Sequence, residues 1–169
     1  MPKFISTYVK YIDLVCEKIG RFVMYWVFFM MFLLILSFVT RNIINYPLMW
    51  IIEMAQFTIT AYYLLGGGYS MMTDDHVRMD LFYGKLSKKG KAKMDIFTSF
   101  FLIFYLVLLF LGSITSLIYT IDTNQKLFTA WAPYVWPIKT LMLLGILLML
   151  LQAFSTLFKD IANLKEKKI

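Results

Sequence analysis

Few residues of this chain have the types and spacing to do chemistry, and they fall in two places. Asp74, Asp75, His76 and Asp80 lie within seven residues. Carboxylates and an imidazole are donors a mononuclear zinc site uses. Arg78 stands among them and would pair with the acids, so a solvated cap at a helix end is the competing reading. The second place is Glu53, the one acid inside long uncharged surroundings. An intramembrane carboxylate is a candidate proton carrier. It follows Trp50 by three residues, about 4.5 Å along a helix axis, a depth that water reaches. His76 is the sole histidine, which excludes a bis-histidine haem. Cys16 is the sole cysteine, which excludes an intrachain disulfide and a Cys-rich metal site. There is no G-x-S-x-G, Walker loop or Cys/His couple. The chain therefore reads as a non-enzyme with no cofactor and no metal.

The elements around these residues are long and apolar. Four runs, 22–39, 50–72, 96–121 and 140–158, hold almost no charge and make up about half of the 169 residues. The hydrophobic fraction is 60%, against ~45–50% in soluble domains. About 20 apolar residues in a helix span the ~30 Å hydrocarbon core of a bilayer. The expected fold is an all-α integral membrane protein, one domain over 1–169 with four transmembrane helices. Of its 17 Lys and Arg, 14 lie before the first run, between the second and third, or after the fourth; three lie in the other two gaps. That bias places both termini and the middle loop in the cytoplasm. The net charge of +7 then reflects topology and contact with anionic membrane lipids. No basic stripe is interleaved with exposed aromatics, which argues against nucleic acid. Nor does a cleavable leader fit: the first run starts late, is longer than an h-region and lacks a small-residue cleavage site.

Within this frame several segments carry finer patterns. Residues 3–19 place Phe4, Tyr8, Ile12, Val15 and Ile19 on one face and Lys3, Ser6, Lys10, Asp13 and Glu17 on the other. This predicts an N-terminal amphipathic helix in the interface plane, broken at Gly20. In the second run, Glu53, Gln56, Thr60, Tyr63, Gly67 and Ser70 recur every three or four residues and share a face. A polar stripe in a span turns toward a partner helix or a wet cavity. Packing inside the chain and docking of another subunit both satisfy it. Leu81–Leu86 predicts a short middle-loop helix on the membrane. Trp131, Pro133, Trp136 and Pro137 predict a rigid element at the outer interface. Gly145, Gln152 and Ser155 form a weaker stripe in the last run.

Taken in order, Pro47-Leu48-Met49-Trp50-x-x-Glu53, the glycine-bearing second run, His76-Val77-Arg78-Met79-Asp80, and Trp131-x-Pro133-x-x-Trp136-Pro137 resemble the small membrane subunit, DctQ-like, of tripartite ATP-independent periplasmic (TRAP) transporters. The resemblance runs over nearly the whole chain. It implies a small permease subunit in the bacterial inner membrane. Such a subunit braces a large elevator subunit for binding-protein-dependent, ion-gradient-driven uptake of an organic acid. The implied partners are that large membrane subunit and a periplasmic substrate-binding protein. On this reading Trp50, Glu53, Gln56 and Gly67 meet the large subunit or tie the small one together. His76, Arg78 and Asp80 form a cytoplasmic anchor, and Trp131, Trp136 and Pro137 lie near the binding protein. The rival reading is a self-contained four-span exporter that uses Glu53 as its proton site.

Overall fold

The computed structural model describes residues 3–46, 48–73 and 88–164. They form five helices: α1 (Lys3–Met24), α2 (Trp26–Asn42), α3 (Met49–Met72), α4 (Lys88–Asp122) and α5 (Trp136–Leu164). No β-strand occurs among the described residues. The sequence explains several boundaries. Pro137 sits in the first turn of α5, where a missing N–H costs no helix bond. Past the ends of α2 and α4 the chain turns through Asn45 and Asn124 at φ 54° and 47°, a left-handed conformation that asparagine tolerates well. Threonines inside the helices bond back to the carbonyl one turn earlier, as Thr58 to Met54 at 2.7 Å and Thr120 to Ser116 at 2.8 Å. Each hydroxyl is thereby satisfied by its own helix, as an apolar setting requires.

The helices pack as an open row, not a closed ring. α3 and α5 form its centre, α2 lies against α3, and α4 lies against α5. Glycines set the central contact. A Cβ added at Gly145 would lie 2.8 Å from the Leu64 Cβ and 2.9 Å from the Leu64 carbonyl oxygen. One added at Gly67 would lie 2.9 Å from the Met149 sulfur. Small residues let backbones approach in this way where no hydrophobic force drives helices together. Met71, Leu106 and Ala153 form the buried cluster that joins α3, α4 and α5.

α1 crosses this pair. Tyr8 Oη donates to the Leu151 carbonyl at 3.2 Å, Cys16 lies against Gly68, and Gly20 lies against Tyr69. Twelve residues of α1, about 18 Å, thus stay near one level of α3 and α5. The predicted stop at Gly20 is absent. The helix runs on to Met24 because Gly20 serves close packing on Tyr69 instead, and the interruption falls at Tyr25 alone.

Among the described residues, three helical stretches are long and apolar enough to cross a membrane: Ile5–Asn42, Met94–Asp122 and Trp136–Ala162. They contain the runs expected at 22–39, 96–121 and 140–158. α3, which contains the run 50–72, is not among them. Glu53, Gln56 and the hydroxyls of Thr58, Thr60, Tyr62, Tyr63, Tyr69 and Ser70 dilute its hydropathy. The predicted helix at Leu81–Leu86 lies outside the described residues.

The close approach makes a paired prediction. Gly145→Ala overpacks the α3–α5 contact and lowers stability in detergent by about 1–3 kcal/mol. Nothing lies within 4 Å of a Cβ at Gly66, so Gly66→Ala is neutral or stabilising by about 0.5–1 kcal/mol. Thermal unfolding of the two variants should diverge; equal midpoints would refute the assignment.

Candidate functional site

The polar stripe of α3 divides. Glu53 is 5% exposed, and its Oε2 has no hydrogen-bond partner among the described residues. It precedes Met71 by 18 residues, five full turns, so both point the same way around the helix. That direction is the α5 side, where Leu64 meets Gly145 and Gly67 meets Met149. A buried carboxylate without full solvation is costly as an anion. Glu53 is thus held within the chain, between its own helices.

Gln56 and Tyr63 lie about 60–80° around the helix from Glu53, beside the α5 side. They line up with Ile52 and Ile59 at four- and three-residue steps, and all four are exposed. Gln56 lies seven residues into α3 from Met49, about 10 Å along the axis. Its side-chain amide has no partner among the described residues; only its backbone carbonyl is engaged, by the Thr60 hydroxyl at 2.8 Å. An amide facing hydrocarbon at that depth lacks the bonds it needs. Trp50 is 37% exposed at the start of the same helix. Gly67 is half-buried on the α5 side.

At this end of the row the segment between α4 and α5 is a tight, cross-linked loop. Leu127 N–H donates to the Pro133 carbonyl at 3.0 Å and Val135 N–H to the Gln125 carbonyl at 3.1 Å. Lys126 Nζ sits 4.7 Å from the centre of the Tyr134 ring. Beneath it, Lys139 Nζ donates to the buried Thr120 hydroxyl at 2.5 Å and to the Ser116 carbonyl at 3.4 Å, which ties α5 to α4. Trp131, Trp136 and Pro137 are exposed on this scaffold. So is Phe128, fully, at the loop tip; the sequence reading passed over it, and only its place between two turn-forming stretches hinted at it.

At the opposite end a charged lock joins α1 to α5. Asp13 Oδ1 accepts from Gln152 Nε2 at 3.0 Å and from the Ser155 hydroxyl at 3.2 Å. Its Oδ2 pairs with Lys159 Nζ at 2.7 Å. Gln152 and Ser155 are wholly buried, and Cys16, one turn along α1, is 2% exposed. The weaker stripe of the last run is thereby explained: Gln152 and Ser155 face Asp13, while Gly145 faces α3. Asp13 reads in sequence as one more polar residue on an amphipathic helix, because its donors lie about 140 residues away. His76, Arg78 and Asp80, and with them the acidic cluster considered for metal, lie outside the described residues.

The arrangement offers an exposed polar-aromatic face on α3, a rigid aromatic loop and a locked α1. Comparison with known families agrees with a multi-subunit reading. The family model of the tripartite ATP-independent periplasmic transporters, DctQ component, matches residues 30–163. The match begins inside α2 and ends inside α5, leaving α1 outside it. No curated protein matches the chain.

The lock predicts a chemical readout. Asp13→Ala leaves the buried Gln152 amide and Ser155 hydroxyl without their acceptor, a loss of about 1.5–3 kcal/mol for bonds to a charged group. α1 then opens more often, and alkylation of Cys16, the only cysteine, by a maleimide should accelerate about tenfold or more. An unchanged rate would show that the lock does not hold α1.

Proposed function

The chain belongs to the DctQ component family of tripartite ATP-independent periplasmic transporters, and from that premise we propose that it braces the large membrane subunit of such a transporter. As a transporter component with membrane-crossing helices it is embedded in a membrane, and its family is not one of enzymes. The large subunit carries the moving elevator; this chain supplies a fixed wall against it. Uptake is driven by an ion gradient, takes an organic acid and depends on a periplasmic binding protein. The membrane is the bacterial inner membrane, with α3 as the fourth span and both termini cytoplasmic. At 24 residues α3 is about 36 Å long, enough for the ~30 Å core. α1, lying across α3 and α5, rests in the cytoplasmic interface plane. His76, Arg78 and Asp80 anchor the middle loop on that side.

The observation that carries the brace is Gln56. An exposed amide about 10 Å into a helix at membrane depth calls for a polar partner, and no described residue of this chain supplies one. The large subunit meets the Ile52–Gln56–Ile59 part of this face, with Trp50 at its edge. Glu53 and Gly67 serve the same interface indirectly, by fixing how α3 sits on α5. Trp131, Trp136, Pro137 and Phe128 face the periplasm, where the binding protein approaches. The self-contained exporter is disfavoured, since its proton site would have to face a central cavity and Glu53 is buried among packed helices.

Two measurements test this reading. Gln56→Leu keeps size and removes the amide; an interhelical hydrogen bond in a membrane contributes about 0.6–2 kcal/mol, so the affinity between the subunits should fall about 3- to 30-fold in co-purification titrations. An unchanged affinity would remove Gln56 from the interface. Trp136→Ala should raise the binding-protein concentration needed for half-maximal uptake in proteoliposomes, with the plateau rate unchanged. Identical titration curves would move the docking surface elsewhere.

A further inference from the structure

We propose that the groove between α1 and α3 is a site for one acyl chain of an anionic glycerophospholipid from the surrounding bilayer, with the lipid phosphate at Arg21. The groove has a volume of about 510 Å³ and is lined by Arg21, Met24, Tyr63, Gly66, Gly67 and Met149. Its walls come from three helices, α1, α3 and α5. Its floor is open because Gly66 has no side chain and nothing stands within 4 Å of where a Cβ would be.

Size selects the occupant. A helix about 10 Å across with a 5.4 Å pitch takes roughly 420 Å³ per turn, so the groove could enclose little more than one turn of a helix. A single flexible chain fits. Left empty, the groove would deprive the methionines and tyrosines of contacts on one side. In a bilayer, lipid tails are what lies nearest.

Charge selects the headgroup. Arg21 lines the groove at the end of α3 near Tyr69 and Ser70, the end that leads into the lysine-rich sequence 85–93. Its side chain is 69% exposed, and one of its nitrogens pairs with Glu17. A guanidinium has five N–H donors, so donors remain for a phosphate, which it meets in a fork geometry. A basic group at the cytoplasmic membrane surface attracts anionic headgroups. Glu17 moderates the site without closing it.

The test is native mass spectrometry of the full chain, washed in detergent and offered phosphatidylglycerol or phosphatidylcholine at equal concentration. The expected result is one retained lipid per chain, with phosphatidylglycerol held about fivefold better, the effect of one basic group at a headgroup. Arg21→Gln should bring phosphatidylglycerol down to the phosphatidylcholine level. Gly66→Phe should abolish retention of both by filling the groove, with Cys16 still shielded from maleimide as the sign of an intact fold. Met24→Trp fills the groove from the facing wall and is read the same way should Gly66→Phe unfold. Undiminished retention in both filling variants overturns the site, and an unchanged preference in Arg21→Gln overturns the headgroup assignment. Loss of the lipid when the large subunit is added would assign the groove to a partner side chain and would also overturn it.

Discussion

The close approach of α3 to α5 is the contact from which the rest of the structure follows. Gly145 admits the backbone of Leu64, and Gly67 admits Met149. Two helices brought this near make one rigid spine. α2 and α4 are added to its flanks, and α1 is laid across its end. Around α3 the polar side chains meet different surroundings. Glu53 on the α5 side and Thr58 on the side away from it are both enclosed, while Gln56, between those two directions, stays open.

Polar groups inside the chain are handled by three separate means. Threonines bond to their own helix, Lys139 ties the start of α5 to Thr120 of α4, and Asp13 collects Gln152, Ser155 and Lys159. Each keeps a donor or acceptor from standing alone in an apolar setting. Glu53 and the Gln152 side-chain amide each retain one buried oxygen without a partner among the described residues, and both lie on the two central helices.

Much of this could be read from the residues. Run length and hydropathy gave the α2, α4 and α5 regions, and the motifs from Trp50 to Pro137 gave the family. What stayed hidden depends on distance along the chain. The stripe of α3 is one face by periodicity, yet a helix has neighbours on several sides, and no spacing rule says where one neighbour ends. Glu53 and Gln56 are three residues and about 60° apart, yet one is buried and the other exposed. Asp13 is a plain polar residue until α1 is laid on α5. Gly20 reads as a helix breaker, but in the fold it is a contact with Tyr69, and tertiary packing overrides the local preference. α3 itself was the least membrane-like of the four runs because the residues that make it useful to neighbours are the ones that lower its hydropathy.

An open row differs from a closed bundle in its mechanics. Neighbouring helix axes lie about 8–10 Å apart, so the outer axes of four helices in a straight row are separated by about 24–30 Å, the upper limit for an open row. In a square bundle the largest separation is a diagonal of about 11–14 Å. The same four helices therefore reach up to about twice as far sideways through the surrounding lipid. A plank of that width has a longer lever arm against tilting and greater viscous drag against rotation than a compact post of equal mass.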